Sequence, residues 1–597
     1  MLLIRMIVLA GAFAFVATAC GPVPTTVFTP TPTASATPTR PATPTPTRSP
    51  LPTSTPVPPL RVLRIGLTAY PNVLDPQKAA SGSEIEVLRL LYEGLVTVDE
   101  KGNVLPGAAD SWVLSKDGME MTFHIRDGLR RVDGSPISAS DFEYALKRAL
   151  DPRIPDRADS FLLFDIRGAQ ELDNSGAARL KPEDIDKALD DLGIRATGDR
   201  TLVLTFKRPT GYWQSIAGTV VTFPTDKKQV DRDPDKWWSK TEGQNGNGPF
   251  VVRSMDPGKR IVLVSNPNYW RGRPKLDRID LLFYPNPAAA LDAYKKGEID
   301  IDTSISSDDI AAISADSSIA SDLLRYPAAM TYAVGFNNAR KPFDDKNVRV
   351  AFSEALDREG WIRSTFKGIG RVSLRWIPPG VPGAQMLKHG VPDYDPKAAV
   401  VTLVDNGYGA GDSTAEHPKV DCAKLGDIKL TYVNSPLNQS RYQFLADDFS
   451  QVFGCPIALD PVDYATLKSL SKDAQTSPMI FFQGYLEDYA HPQDWLSAYW
   501  VCSSPFAERA GYCNKDLDAL LANADQEADL PQAIKLYQQA EDMLIEDVPA
   551  AFSHYSENIY LMRPYVLGPR EHTGSADTEW PGEWGPVWDY DVKSNHG

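Results

Sequence analysis

Apolar positions along this chain recur with period two in some stretches and with a period near 3.6 in others, the signature of interleaved strands and helices. Val62–Leu67 reads as a strand. Met119, Met121, Phe123 and Ile125 alternate with Glu120, Thr122 and His124, and Leu202, Leu204 and Phe206 repeat the half-buried pattern. Ser83-x-x-Glu86 predicts a capping box opening a helix over Glu84–Leu95, and Ser140-x-x-Glu143 predicts another with Phe142, Ala145, Leu146 and Ala149 on one face. A helix starting at Asp395-Pro396 is expected to stop at Asn406-Gly407. The clearest unit is Ile428–Val433, helix Ser440–Phe453, Ile457–Val462, helix Ala465–Lys472 and Met479–Gln483, an order that predicts a mostly parallel sheet. Helices Lys515–Gln526 and Pro531–Glu546 follow, then a late apolar strand, Ala550–Met562. No repeat of 20–50 residues stands out.

At 597 residues the chain exceeds what one core holds, so three or four modules are expected. A 42% hydrophobic and 23% charged composition is that of a water-soluble fold. The net charge, 62 − 78 = −16, disfavours nucleic acid as a partner.

The 49 prolines are unevenly spread. Residues 1–20 read as an export signal: Arg5, the apolar run Met6–Val16, then Ala17-Thr18-Ala19-Cys20. That run is too short for a bilayer core of ~30 Å. Its end resembles a bacterial lipobox, with Ala17 where Leu is usual, which implies lipidation of Cys20 and a membrane anchor. Residues 21–59 lie in a stretch, Gly21–Leu60, holding 13 Pro and 12 Thr. It lacks the apolar side chains to offset its ordering entropy, so a disordered stalk is expected, extended at ~3.1 Å per residue. Since residues 1–59 carry three basic and no acidic residues, the remainder carries 59 − 78 = −19.

The other four cysteines suggest two disulfides in an exported chain. Sequence proximity favours Cys422–Cys455 and Cys502–Cys513 among three possible pairings. Enzyme templates fail: there is no P-loop, no G-x-S-x-G and no H-E-x-x-H, and the seven histidines lack metal-ligand spacing. Gly243-x-x-Gly246-x-Gly248 reads as a loop rather than a dinucleotide fingerprint. No cofactor and no catalytic residue is expected.

A series of motifs carries a family resemblance. Leu74-Asp75-Pro76, Leu91-Tyr92-Glu93-Gly94-Leu95-Val96, Pro106-Gly107-Ala108-Ala109-Asp110-Ser111-Trp112, Thr122-Phe123-His124-Ile125-Arg126-Asp127-Gly128 and Asp133-Gly134-Ser135-Pro136 come first. Asn247-Gly248-Pro249-Phe250, Asn266-Pro267-Asn268-Tyr269-Trp270, Gly297-Glu298-Ile299-Asp300 and Pro342-Phe343-Asp344-Asp345 follow in order. Together they resemble the peptide-type, family 5 solute-binding lipoproteins of ABC importers, with one departure: Arg131 stands where the family usually has Phe or Trp.

The resemblance implies an α/β, two-lobed, periplasmic-binding-protein-like fold of type II in its large three-domain form. Domain I would comprise 60–104, 249–330 and 552–597, domain II 105–248 and domain III 331–551. The lobes would cross near Pro327–Tyr332 and Val548–Phe552 and hinge shut on a solute. In peptide-binding members an aspartate pairs with the ligand α-amino group. Here that position is Asp488 in Gly484-Tyr485-Leu486-Glu487-Asp488-Tyr489. Tyr485 would cover the ligand backbone, Tyr489 would close the pocket edge, and Tyr555 lies near a family cleft position. Trp495 and Trp500 are read as core. The implied function is a monomeric, extracytoplasmic, lipid-anchored subunit delivering short peptides to an ABC permease and its ATPase. Relatives that take an oligosaccharide, nickel complex or opine, or a surface sensor without transport, are the alternatives.

Overall fold

The computed structural model describes residues 60–99, 103–175, 180–386, 388–568 and 590–593. The export signal, Cys20 and the stalk expected over 1–59 lie outside the described residues. So does part of the expected last segment of domain I.

A nine-stranded sheet runs through the protein. Five of its strands matter below: β1 (Val62–Leu67), β2 (Ile301–Asp302), β3 (Leu323–Phe336), β4 (Ile480–Leu486) and β5 (Ala550–Met562). Their order is β4-β3-β5-β2-β1, continued by Arg278–Phe283, Arg260–Ser265 and Phe250–Asp256. β1 lies parallel to β2 and to Arg278–Phe283, while β3, β4 and β5 pair antiparallel. A separate four-stranded antiparallel sheet contains Glu120–Ile125 and Thr201–Thr205, whose alternating burial follows the alternating sequence.

Buried side chains gather in distinct clusters. One draws on 95–221, including Phe123, Phe142, Leu204 and Trp213. A second joins Leu63, Leu88, Phe250, Leu281 and Met562, with a satellite around Tyr294 and Leu561. Two more cover opposite faces of the β3–β4–β5 end, one built on Trp376, Trp495 and Leu544, the other on Phe336, Phe352 and Phe449.

Arg148, from the first cluster's body, donates to both oxygens of Asp75 in the second at 2.6 and 2.5 Å, and Trp237 and Gln77 complete the arrangement. Both side chains of the ion pair are almost wholly buried. A further weld is Glu93, which accepts from Trp270 Nε1 and the Tyr269 hydroxyl while Asn247 bonds its backbone at both ends. Burial raises its carboxyl above the ordinary glutamate range, against the opposing pull of Arg271. The triple glycine belongs to this seam. A Cβ at Gly246 would stand 2.1 Å from the Leu91 carbonyl oxygen, so the motif serves close packing.

Several expectations shift. The helices begin at Gly82 and Ala139, and their N-caps are Ser81 and Ser138, each two residues before the expected serine cap. In both places two serines stand two apart, each with a carboxylate three residues on. Glu84 wins because it also accepts from Val73 and Ala80 N–H, and Asp141 wins because Arg131 reaches it at 2.5 Å. Arg131 is thus accommodated as a buried partner of the helix N-terminus. The first helix ends at Leu91 and not at Leu95, since the Leu91 carbonyl accepts from Gly248 N–H and Tyr92 turns extended. Helix Pro396–Leu403 starts on the Asp395 cap as expected. Ile428–Val433 and Ile457–Val462 do pair in parallel, but the third strand leaves them. β4 pairs antiparallel with β3 from Met330↔Leu486 to Phe336↔Ile480, with Phe481 and Tyr485 entering one cluster and Ile480 the other. Sulfur–sulfur bonds join Cys422 to Cys455 and Cys502 to Cys513.

Arg148→Met should destabilise the protein by about 3–5 kcal/mol in urea unfolding by leaving Asp75 buried and unpaired. Asp75→Leu combined with Arg148→Met should recover most of that loss.

Candidate functional site

β3 and β5 are shared between two sets of clusters. From Leu323↔Leu561 to Pro327↔Glu557 they pair beside β2, then the register slips and resumes at Thr331↔Tyr555 beside β4. A second slip lies between Tyr332 and Ala333. Proline has no N–H for a ladder, and a bulge bends the strand and re-aims its side chains. Glu557, buried at the slip, binds Arg325 at 3.1 Å on one side and Arg371 at 2.9 Å on the other.

Two of the sequence-selected residues, Tyr485 and Tyr555, converge here on Thr331. Thr331 faces Tyr485 on β4 and Tyr555 on β5, so the three lie in one row across the sheet. The Thr331 hydroxyl is buried and finds no partner among the described residues. Glu487 N–H bonds the Ala329 carbonyl at 3.0 Å, and the turn bearing Asp488 leaves β4 at that point.

Asp488 is partly buried, and its N–H donates to Asp494 Oδ2 at 2.8 Å. Asp494 sits in the first turn of helix Pro492–Trp500, and its other oxygen accepts from the Tyr485 hydroxyl at 2.7 Å. Tyr485 does not lie open to solvent: its ring packs edge-on to Trp495 and Tyr499, and its hydroxyl lies 3.4 Å from Asp488 Oδ2. Burial, then the neighbouring Asp488 charge, push the Asp494 carboxyl well above the ordinary aspartate range. The turn therefore concentrates Glu487, Asp488 and Asp494 in a small volume, an arrangement suited to a cationic or N–H-donating group.

Tyr489 turns the other way. It stacks on Tyr212 at 6.3 Å and 11°, and its hydroxyl bonds Gln493. It is the member of the 95–221 cluster contributed from the far side of the crossing strands. Next to it His491 caps the helix and is held neutral, its pKa lowered to about 3 by burial. Tyr555 is buried, as are Trp495 and Trp500.

Sequence reasoning missed Asp494, Tyr212 and Asp525. Asp494 carries a local signal, an acid in the first turn after His491-Pro492. Tyr212 carries none, because its partner is far away in the chain. Asp525 accepts from Ser497 and Tyr537 hydroxyls, each at 2.7 Å, and burial pushes its pKa up to about 6. Among the described residues no cluster of His, Cys, Asp and Glu could hold a metal ion, and no helix is long and apolar enough to cross a membrane.

Residues 103–506 match the family described as bacterial extracellular solute-binding proteins, family 5. The chain is 27% identical over 528 residues to the dipeptide-binding protein DppE of Bacillus subtilis, covering 87% of this chain and 91% of that one. It is 28% identical over 516 residues to the oligopeptide-binding protein OppA of Bacillus subtilis, covering 85% and 89%. The solved structure of the murein tripeptide-binding protein MppA in its unliganded open form superposes with a TM-score of 0.77 at 24% identity, covering 90% of this chain and 98% of that one. The likeness establishes the α/β, two-lobed architecture.

The Asp525 carboxyl, raised from 3.8 to about 6, favours the fold when protonated, so its contribution is fully present below the unfolded value and is lost as pH rises to about 6. Asp525→Asn should gain relative to the parent by about 2 kcal/mol in urea unfolding between about pH 4.5 and 7.5, with little further change above about pH 6.5. A pH-independent difference would contradict this.

Proposed function

Because the chain belongs to family 5 of the bacterial extracellular solute-binding proteins, we propose that it captures short peptides between its lobes and hands them to a membrane permease powered by a separate ATPase. Proteins of this family bind and do not catalyse. The observation that carries the reading is the placement of Asp488. Its turn begins at the slip in β3, beside the row Tyr485–Thr331–Tyr555, where the ladder passes from one lobe to the other.

In this reading domains I and II form one lobe, welded by Asp75–Arg148 and by Asn247 on the Glu93 backbone, and domain III forms the other. The proposed hinge is the slip at Pro327/Thr331 with Glu557/Tyr555 opposite, a point where the ladder is already irregular. The Asp488 carboxylate receives the peptide's α-ammonium in a charge-assisted bond. Asp494 positions it by holding its N–H, and Tyr485 fixes Asp494. The Thr331 hydroxyl offers a further polar group on the row. The names of the relatives, which bind dipeptides and oligopeptides, support a peptide over a sugar or metal complex. The periplasmic location named for other relatives supports an extracytoplasmic site of action. We extend the proposal to lipidation at Cys20, a stalk over 21–59 and a monomeric body.

Asp488→Ala should weaken trialanine binding in titration calorimetry by roughly tenfold or more, about 1.4 kcal/mol, with an unchanged melting temperature. N-acetyl-trialanine should bind the unmutated protein just as weakly. Unaltered affinity in the variant would reject the assigned role.

A further inference from the structure

Segment 208–212 reaches from the 95–221 body to the opposite lobe. Gly211 N–H donates to the Asp525 carbonyl at 2.8 Å. A Cβ at Gly211 would stand 2.1 Å from the Glu527 carbonyl oxygen and 2.8 Å from its carbon, so the lobes touch backbone to backbone there. Tyr212 stacks on Tyr489 and packs 6.1 Å from His491. Its ring is set from its own side: the Tyr212 hydroxyl donates to Asp165 and accepts from Arg208 at 3.1 Å, and Arg208 Nε binds Asp165 at 2.9 Å.

We infer that Gly211–Tyr212 is a clasp between the lobes that grips the Asp488–His491 turn, which makes Tyr212 a positioning residue for solute it does not touch. The inference rests on the reading of Asp488 as the solute's anchor. Tyr489 directly follows Asp488, and the Tyr489 hydroxyl and Asp494 tie the turn to one helix. When Tyr212 stacks on Tyr489, the carboxylate is presented in one orientation. When the stack opens, the turn regains freedom and the interlobe contact is lost. Domain II thereby sets residence time, while the contacts made to the solute decide its identity.

The test uses the whole folded body with spin labels at Val113→Cys and Leu437→Cys, two exposed positions on opposite lobes. Pulsed dipolar spectroscopy reads the interlobe distance, and stopped-flow fluorescence reads dissociation of trialanine. Gly211→Ala and Tyr212→Ala should broaden and lengthen the distance and speed dissociation roughly tenfold, with the association rate little changed. Tyr212→Phe, which keeps the ring, should retain the short distance. Should Gly211→Ala destabilise the fold, Tyr212→Ala against Tyr212→Phe still decides. Parental distance and dissociation rate in Tyr212→Ala overturn the clasp. A lengthened distance in Tyr212→Ala when Asp488→Ala leaves trialanine affinity unaltered supports the clasp and overturns the anchor alone.

Discussion

Two antiparallel strands carry this architecture. β3 and β5 pair over most of their length, yet one end of the pair belongs to the sheet of β2 and β1 and the other to β4. A ladder shared by two cores cannot be lost without parting them, and it cannot bend smoothly where its hydrogen bonds are regular. The slip between Pro327 and Thr331 supplies the irregular point. Pro327 removes a donor there, and Glu557 holds Arg325 and Arg371 across the gap. The groups that could hold a solute stand at this point because β4 and the turn after it end there.

Everything else makes the two ends rigid. The Asp75–Arg148 pair is an unusual way to join two bodies, since burying both charges is costly unless geometry and extra donors compensate. Trp237 Nε1 and the Gln77 backbone N–H donate to Asp75, and Gln77 Oε1 accepts from Arg148. On the far side, aromatic rings from Trp376, Trp495 and Tyr499 pack under Tyr485, so the base of the Asp488 turn is fixed. Binding favours preorganised groups, because less ordering is left to be done when a solute arrives.

The strands were the most legible part of the sequence. Val62–Leu67, Ile428–Val433 and Ala550–Met562 fall where their patterns place them, as does helix Lys515–Gln526. Helix starts were less so. Ser81 and Ser83, or Ser138 and Ser140, offer equivalent caps locally, and the choice fell to distant partners such as Arg131. The partner of β4 was illegible for a related reason: an apolar strand buried on both faces carries no mark of which neighbour it takes. At the site, Asp488, Tyr485 and Tyr555 could be named from motifs, but their row through Thr331 depends on register. Tyr489 shows the limit. Its position suggested a pocket edge, whereas its ring meets Tyr212, a contact that no local pattern encodes.

Amide hydrogen exchange with and without trialanine tests the central claim that the solute is held where the shared ladder slips. The account predicts slowed exchange at 327–332, 484–491 and 553–557, with the sheet of 120–125 and 201–205 unaffected. Protection confined to other segments, or no change at a peptide concentration that saturates binding, would contradict it.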